Sequence, residues 1–124
     1  RQSSTRPLSD ERSDFLFGPS PETFRSLGLN QQICDTLERL GKGNATVIQA
    51  AAFAPIRNGK NVVMTAETGT GKTLAYLCPL FDKLFHEGRD VSDDAAVQCV
   101  YPAAIVLVPN KELGHQGTFL CDVL

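Results

Sequence analysis

The sequence predicts an α/β fold in which a parallel sheet carries helices on its faces, and three observations lead there. Two short apolar runs, Asn61 to Thr65 and Ala103 to Val108, have the near-continuous hydrophobicity of strands buried in a parallel sheet. Between them lies a stretch with helical spacing, and a strand, crossover helix and second strand of this length form a right-handed βαβ unit. The first run also passes straight into a glycine-rich turn that opens the helix, which is how doubly wound sheets join strand to helix.

Taken from the N-terminus, residues 1–20 (RQSSTRPLSDERSDFLFGPS) mix Ser, Arg, Asp and Pro with brief apolar content and are expected to be a tail or linker. An Arg- and Ser-rich beginning also suits the end of an organelle transit peptide, against which Asp10, Glu11 and Asp14 count. The expected domain therefore runs over 21–124. Asn30 can cap a first helix whose apolar positions Ile33, Leu37 and Leu40 share a face, with Gly41 suited to its stop. Thr46 can cap a second, running through Val47, Ile48, Ala51 and Ala52 toward Ile56, kinked or shortened by Pro55 and followed by an Asn58-Gly59 turn. A third begins near Lys72 and carries Leu74, Leu77 and Leu80 or Phe81 on its inner side, with Pro79 as a local irregularity. His86 to Val100 is polar and acidic, a surface connection before the second apolar run.

At 124 residues the chain suits one domain at most. Arg1 in place of methionine, and an apolar pattern reaching Leu124 without a helix stop signal, read as cut ends and as part of a longer product. With 12 basic and 14 acidic residues the formal charge is −2, so any nucleic-acid contact must be local. Cys34, Cys78, Cys99 and Cys121 are widely spaced, with no C-x-x-C pair and no histidine cluster to suggest zinc. Buried free thiols in a reducing, intracellular compartment are expected, whether cytoplasm, nucleus or organelle. No apolar run nears the ~20 residues that a membrane-spanning helix needs.

The segment Ala66-Glu67-Thr68-Gly69-Thr70-Gly71-Lys72-Thr73 has the chemistry of a phosphate-binding loop. Gly69 and Gly71 allow positive φ where a Cβ would clash, so successive N–H groups can turn toward phosphate oxygens. The helix that follows adds the positive end of its dipole. Lys72 is placed to reach the β and γ phosphates, and the Thr73 hydroxyl to ligate the magnesium ion that bridges them. The general pattern G-x-x-x-x-G-K-[ST] has glycine where this chain has Ala66, a departure of one methyl group. A Gly/Thr-rich turn that merely precedes a lysine is the alternative.

That alanine, in A-E-T-G-T-G-K-T, resembles motif I of the DEAD-box RNA helicases, and two further segments are similar to motifs of the same family. Gly41-Lys42-Gly43-Asn44-Ala45-Thr46-Val47-Ile48-Gln49 resembles the Q motif, G-F-x-x-P-T-x-I-Q. Gly41, Thr46, Ile48 and Gln49 match, while Lys42 replaces the aromatic residue and Ala45 the proline. Family members carry an isolated aromatic residue 17 positions ahead of the motif, where Phe24 stands (41 − 24 = 17). Pro109-Asn110-Lys111-Glu112-Leu113-Gly114-His115-Gln116 resembles motif Ia, P-T-R-E-L-A-x-Q, with Pro109, Glu112, Leu113 and Gln116 matching and Asn110 and Lys111 replacing threonine and arginine. The matches follow the family's order and spacing from Phe24 to Gln116.

The resemblance implies a P-loop NTPase domain of RecA-like fold, incomplete at its C-terminus, that binds ATP and magnesium. It implies that Gln49 hydrogen-bonds the adenine edge while Phe24 stacks on its face. A carboxamide offers donor and acceptor together, matching the adenine amino group and N7, whereas guanine presents two acceptors. A helix-surface glutamine and a core or staple phenylalanine are the alternatives. The resemblance further implies that Pro109, Asn110, Lys111 and Glu112 grip the RNA sugar-phosphate backbone, Lys111 keeping the charge of arginine without its planar fork; a solvated surface lysine is the alternative.

The acidic D-E-A-D segment that holds magnesium and orients water in family members does not occur in this chain. Neither does the second RecA-like domain that supplies arginine fingers. The implied parent is an ATP-dependent RNA helicase, an ATP hydrolase, and this piece is expected to be inactive alone. Two other readings stay open: a noncatalytic RNA-binding or assembly protein that kept the loop, and an unrelated P-loop ATPase or GTPase, against which Gln49 and Phe24 count. His86 and His115 have no partners in sequence reach that imply catalysis or metal binding.

Overall fold

The computed structural model describes residues 19–87 and 102–124. The expected tail as far as residue 18, and the expected surface connection from residue 88 on, lie outside the described residues, as does Cys99. In chain order the elements are β1 (Pro19–Thr23), α1 (Gln31–Arg39), β2 (Asn44–Thr46), α2 (Val47–Arg57), α3 (Lys72–His86) and α4 (Lys111–Val123).

Helix ends sit where local chemistry places them. The Asn30 side chain accepts from the Gln32 N–H at 2.9 Å and starts α1. Gly41 ends it at φ 70°, with the Gly41 N–H donating to Glu38 O and the Lys42 N–H to Leu37 O, a Schellman arrangement. Gly59, at φ 72°, ends α2 with the same pair of bonds, from Gly59 to Ile56 O and from Lys60 to Pro55 O. Thr46 and Gln49 form a capping box at the start of α2. α2 runs through Pro55 to Arg57 and α3 runs through Pro79, each proline forgoing one intrahelical bond.

The core gathers Phe24, Leu29, Ile33, Cys34, Leu37, Ala45, Phe53, Leu74 and Cys78. Each large apolar side chain buried there contributes about 1.5–3 kcal/mol. On α1, Ile33 and Leu37 are buried as expected, while Leu40, beyond the last turn, faces out. The inward face of α2 is Gln49, Ala52 and Phe53, and α2 packs along α3. Arg25 pairs with Asp35 and Glu38 at 2.8 and 3.1 Å, tying the N-terminal segment to α1.

The expected strands are not formed as a sheet. Residues 61–65 and 103–108 take no strand assignment, and Val63, Ile105 and Leu107 are 95%, 74% and 91% exposed. A strand is defined by its neighbour, and an apolar run meant for burial on both faces needs pairing along its edges and helices above and below. Among the described residues neither run finds such a partner. The sheet that does form is antiparallel, β1 against β2, with Pro19 opposite Thr46 and Thr23 opposite Asn44 across a register irregularity. Pro19 and Pro21 cannot donate to a ladder, which suits β1 to its place on an edge.

Candidate phosphate-binding site

Residues 66–73 lead into α3, with Gly71 as its N-cap at φ 85° and Gly69 at φ 86°. Both glycines therefore adopt the left-handed conformation that the loop chemistry requires. A Cβ added to Gly69 would meet nothing within 4 Å, whereas one added to Gly71 would overlap the Gln49 carboxamide nitrogen. The Thr70 hydroxyl donates to Glu67 O at 2.8 Å. Lys72 Nζ donates to Ala66 O and Glu67 O at 2.5 and 2.6 Å, so its ammonium closes the loop across its own mouth with two charge-assisted bonds. Thr73 is half-buried in the first turn of α3.

Thr46 and Gln49, more than twenty residues earlier, come to the same place. The Thr46 hydroxyl donates to Thr70 O at 3.1 Å, and Gln49 Nε2 donates to Gly71 O at 3.1 Å. Gln49 is 4% exposed, and its Oε1 accepts from the Thr46 N–H at 2.8 Å. Phe24 lies elsewhere, 1% exposed within the core, its N–H donating to Gly43 O at 3.1 Å. Its ring offers no face to solvent in this arrangement.

Pro109, Asn110, Lys111 and Glu112 are all exposed at the start of α4, where the Asn110 side chain accepts from the Leu113 N–H at 3.0 Å and caps the helix. Between α3 and α4 lies an apolar cleft of about 280 Å³ lined by residues including Tyr76, Leu77, Val106, Val108, Leu113 and Cys121. Burial there pushes the Tyr76 hydroxyl and the Cys121 thiol above their ordinary pKa values. Cys34, Cys78 and Cys121 are free thiols, the first two buried, and burial pushes Cys78 up to about 12.

Sequence reasoning missed Asp82. Its carboxylate is fully buried, with Oδ1 accepting from the Asn30 N–H at 2.7 Å and Oδ2 2.9 Å from Arg57 Nε. The guanidinium N–H is out of line for a hydrogen bond, so Oδ2 is held by charge alone. Arg57 also donates to Gly28 O at 3.3 Å and lies 3.4 Å from His86 Nε2. His86 Nδ1 lies 2.8 Å from Asp82 O, a carbonyl that can only accept, so the ring donates there. The sequence signal was available: Leu74, Cys78 and Asp82 fall four apart on one helix face, so a charge follows two core residues. Among the described residues no three His, Cys, Asp or Glu side chains converge to hold a metal, and no helix is long and apolar enough to cross a membrane.

A model of the DEAD/DEAH box helicase family matches residues 46–118, more than half of the chain. The chain is 41% identical over 97 residues to DEAD-box ATP-dependent RNA helicase 16 of Arabidopsis thaliana, a match covering 78% of this chain and 15% of that protein. It is 39% identical over 99 residues to ATP-dependent RNA helicase RhlB of Vibrio vulnificus, covering 77% of this chain and 21% of the relative. With ATP-dependent RNA helicase glh-4 of Caenorhabditis elegans it shares 41% identity over 91 residues, 71% of this chain and 8% of the relative. The chain thus spans about a fifth or less of the length of these relatives. No solved structure matches it.

Proposed function

Because the chain belongs to the DEAD/DEAH box helicase family, we propose that it is the ATP-binding portion of an ATP-dependent RNA helicase, drawn from the first RecA-like domain. The observation that carries the reading is the closed loop of residues 66–73, with two left-handed glycines and the Lys72 ammonium drawn across it. The open space beside Gly69 and the carbonyls engaged by Lys72, Thr46 and Gln49 fit a polyphosphate that is met by N–H donors. In the proposed complex, Ala66, Glu67, Thr68, Gly69, Thr70 and Gly71 surround the phosphates and Lys72 moves its charge from the loop carbonyls to phosphate oxygens. Thr73 would offer its hydroxyl to a magnesium ion, which would supply charge neutralisation to phosphoryl transfer.

Gln49 keeps one amide hydrogen and one oxygen lone pair beyond its two protein bonds, enough for an adenine edge. Stacking by Phe24 requires its ring to turn out of the core. Pro109, Asn110, Lys111 and Glu112 form the proposed RNA-backbone contact, supported by their exposure at the start of α4. The acidic motif and the second RecA-like domain, needed for hydrolysis and unwinding, would come from the rest of the parent protein. The unpaired thiols favour an intracellular setting. Lys72→Ala in the complete helicase core should abolish ATP hydrolysis and weaken nucleotide binding strongly while the loop still folds. Near-normal turnover at saturating ATP would show that Lys72 has no phosphate role.

A further inference from the structure

A turn outside regular structure keeps its shape only where its carbonyls and N–H groups are held. Residues 24–30 form such a turn ahead of α1. Within it the Leu29 N–H donates to Phe24 O at 3.2 Å and the Gly28 N–H to Arg25 O at 3.1 Å, while the Phe24 N–H is held by Gly43 O at 3.1 Å. The far end is held from two other helices. Arg57, the last residue of α2, donates to Gly28 O at 3.3 Å, and Asp82 of α3 accepts the Asn30 N–H at 2.7 Å. The two holders are also bound to each other, with Arg57 Nε 2.9 Å from Asp82 Oδ2 and the guanidinium resting over the Phe53 ring, 5.9 Å from its centroid. Asp82 is fully buried, so water does not compete for the carboxylate. Lys72 opens the helix on which Asp82 lies, and a rise of ~1.5 Å per residue sets the two about 15 Å apart along its axis. One helix therefore ties the loop lysine to the turn that carries Phe24. With the backbone of that turn held at both ends, the Phe24 ring can reach a base by rotation about its own side-chain bonds, and the turn need not be rebuilt.

We propose that Asp82 and Arg57 are positioning residues for base recognition: by fixing the 24–30 turn to α3, they set the place from which the Phe24 ring meets adenine. The inference rests on the reading of Phe24 as the stacking residue. A loosened turn has more conformations to lose when the ring stacks, so affinity falls for a ligand that carries a base and stays the same for its phosphates alone.

The test is calorimetric titration of the full chain with ATP and, separately, with inorganic tripolyphosphate, both with magnesium. Asp82→Asn keeps the size of the side chain, but an amide has one oxygen where the carboxylate has two, so either the Asn30 N–H or Arg57 Nε is left facing an NH2 group. It should weaken ATP binding about three- to tenfold and leave tripolyphosphate binding unchanged. Arg57→Lys, which keeps the charge beside Asp82 but gives up the fork that also reaches Gly28 O, should act in the same direction. In a Phe24→Leu background, where no ring is left to place, Asp82→Asn should cost no further ATP affinity. Thermal melts establish which variants are folded; should Asp82→Asn fail to fold, Arg57→Lys carries the same comparisons. Equal losses for ATP and tripolyphosphate would make the clasp a purely structural brace, and a full ATP loss persisting in the Phe24→Leu background would show that it acts through something other than the ring. Undiminished ATP affinity in the folded clasp variants overturns the proposal outright. Unchanged ATP affinity in Phe24→Leu by itself would instead remove the stacking role, and the proposal with it.

Discussion

Gly71→Ala separates two costs that the structure places on one residue. A residue with a Cβ at φ 85° in the left-handed region costs about 1–2 kcal/mol. The added carbon also overlaps Gln49 Nε2, and pushing the carboxamide aside gives up its bond to Gly71 O, about 0.5–1.5 kcal/mol more. The sum, about 1.5–3.5 kcal/mol, corresponds to roughly 10- to 300-fold in nucleotide affinity if it falls wholly on the bound loop. Gly69→Ala provides the control, since its φ of 86° carries the same conformational cost and its Cβ meets nothing. It should cost only about 5- to 30-fold. Titration with ADP measures both. Adding Gln49→Ala to Gly71→Ala removes the overlap, so the double variant should be less impaired than the product of the two single effects. Equal losses for the two glycine variants, or strict additivity in the double variant, would refute the claim that Gly71 is glycine partly to admit Gln49.

Asp82→Ala should destabilise the fold by about 2–4 kcal/mol in urea unfolding: breaking a buried pair costs about 3–5, but the Arg57 side chain, 35% exposed, can regain water. A loss under about 1 kcal/mol would mean the clasp between the Asn30 turn, α2 and α3 is incidental. Of the three described cysteines, Cys121 should react first with a maleimide under native conditions, and mass spectrometry that finds Cys34 or Cys78 modified as fast would contradict their burial. Cys78 is raised in the folded state from 9.0 to about 12, so the folded protein holds that proton longer than the unfolded chain. Stability from this group is complete below about pH 8.5 and falls as pH climbs toward 12, by at most about 1.4 kcal/mol per pH unit, and Cys78→Ala should flatten that slope. In the complete helicase core, Lys111→Ala should weaken unrelated single-stranded RNAs alike and reduce the salt slope by about 0.7, and an unchanged slope with unchanged affinity would make Lys111 a solvated lysine.

What the sequence made legible was local. The caps at Asn30 and Thr46, the stops at Gly41 and Gly59, and the left-handed glycines at 69 and 71 each depend on a few neighbouring residues, and each is found in place. The resemblance put Gln49 at an adenine edge and the local pattern made Thr46 a helix cap; their bonds to Gly71 O and Thr70 O could not be read from spacing. Pairing was the level that failed. Residues 61–65 and 103–108 were read as strands from hydrophobicity, which reports a wish for burial and says nothing of a partner. The strand pair that formed joins a proline-bearing segment to the capping residues of α2, two stretches with no strand pattern of their own. The burial of Asp82 likewise depends on Arg57 and Asn30 arriving from other elements.

The uncovered apolar runs govern how this chain behaves in a test tube. Val63, Ile105 and Leu107 stand open to water beside backbone that, among the described residues, no ladder has claimed. Such surfaces are adhesive in two ways at once, through oily side chains and through peptide groups ready to recruit any passing strand. Light scattering of the isolated chain should therefore grow with concentration and shrink when mild denaturant or a strand-blocking Ile105→Lys change is introduced. Elements such as the α2–α3 pair, which close over their own core, can settle early. Segments such as 61–65 and 103–108 must be sheltered until their neighbours arrive, so for this polypeptide the order in which surfaces are covered matters as much as the final fold.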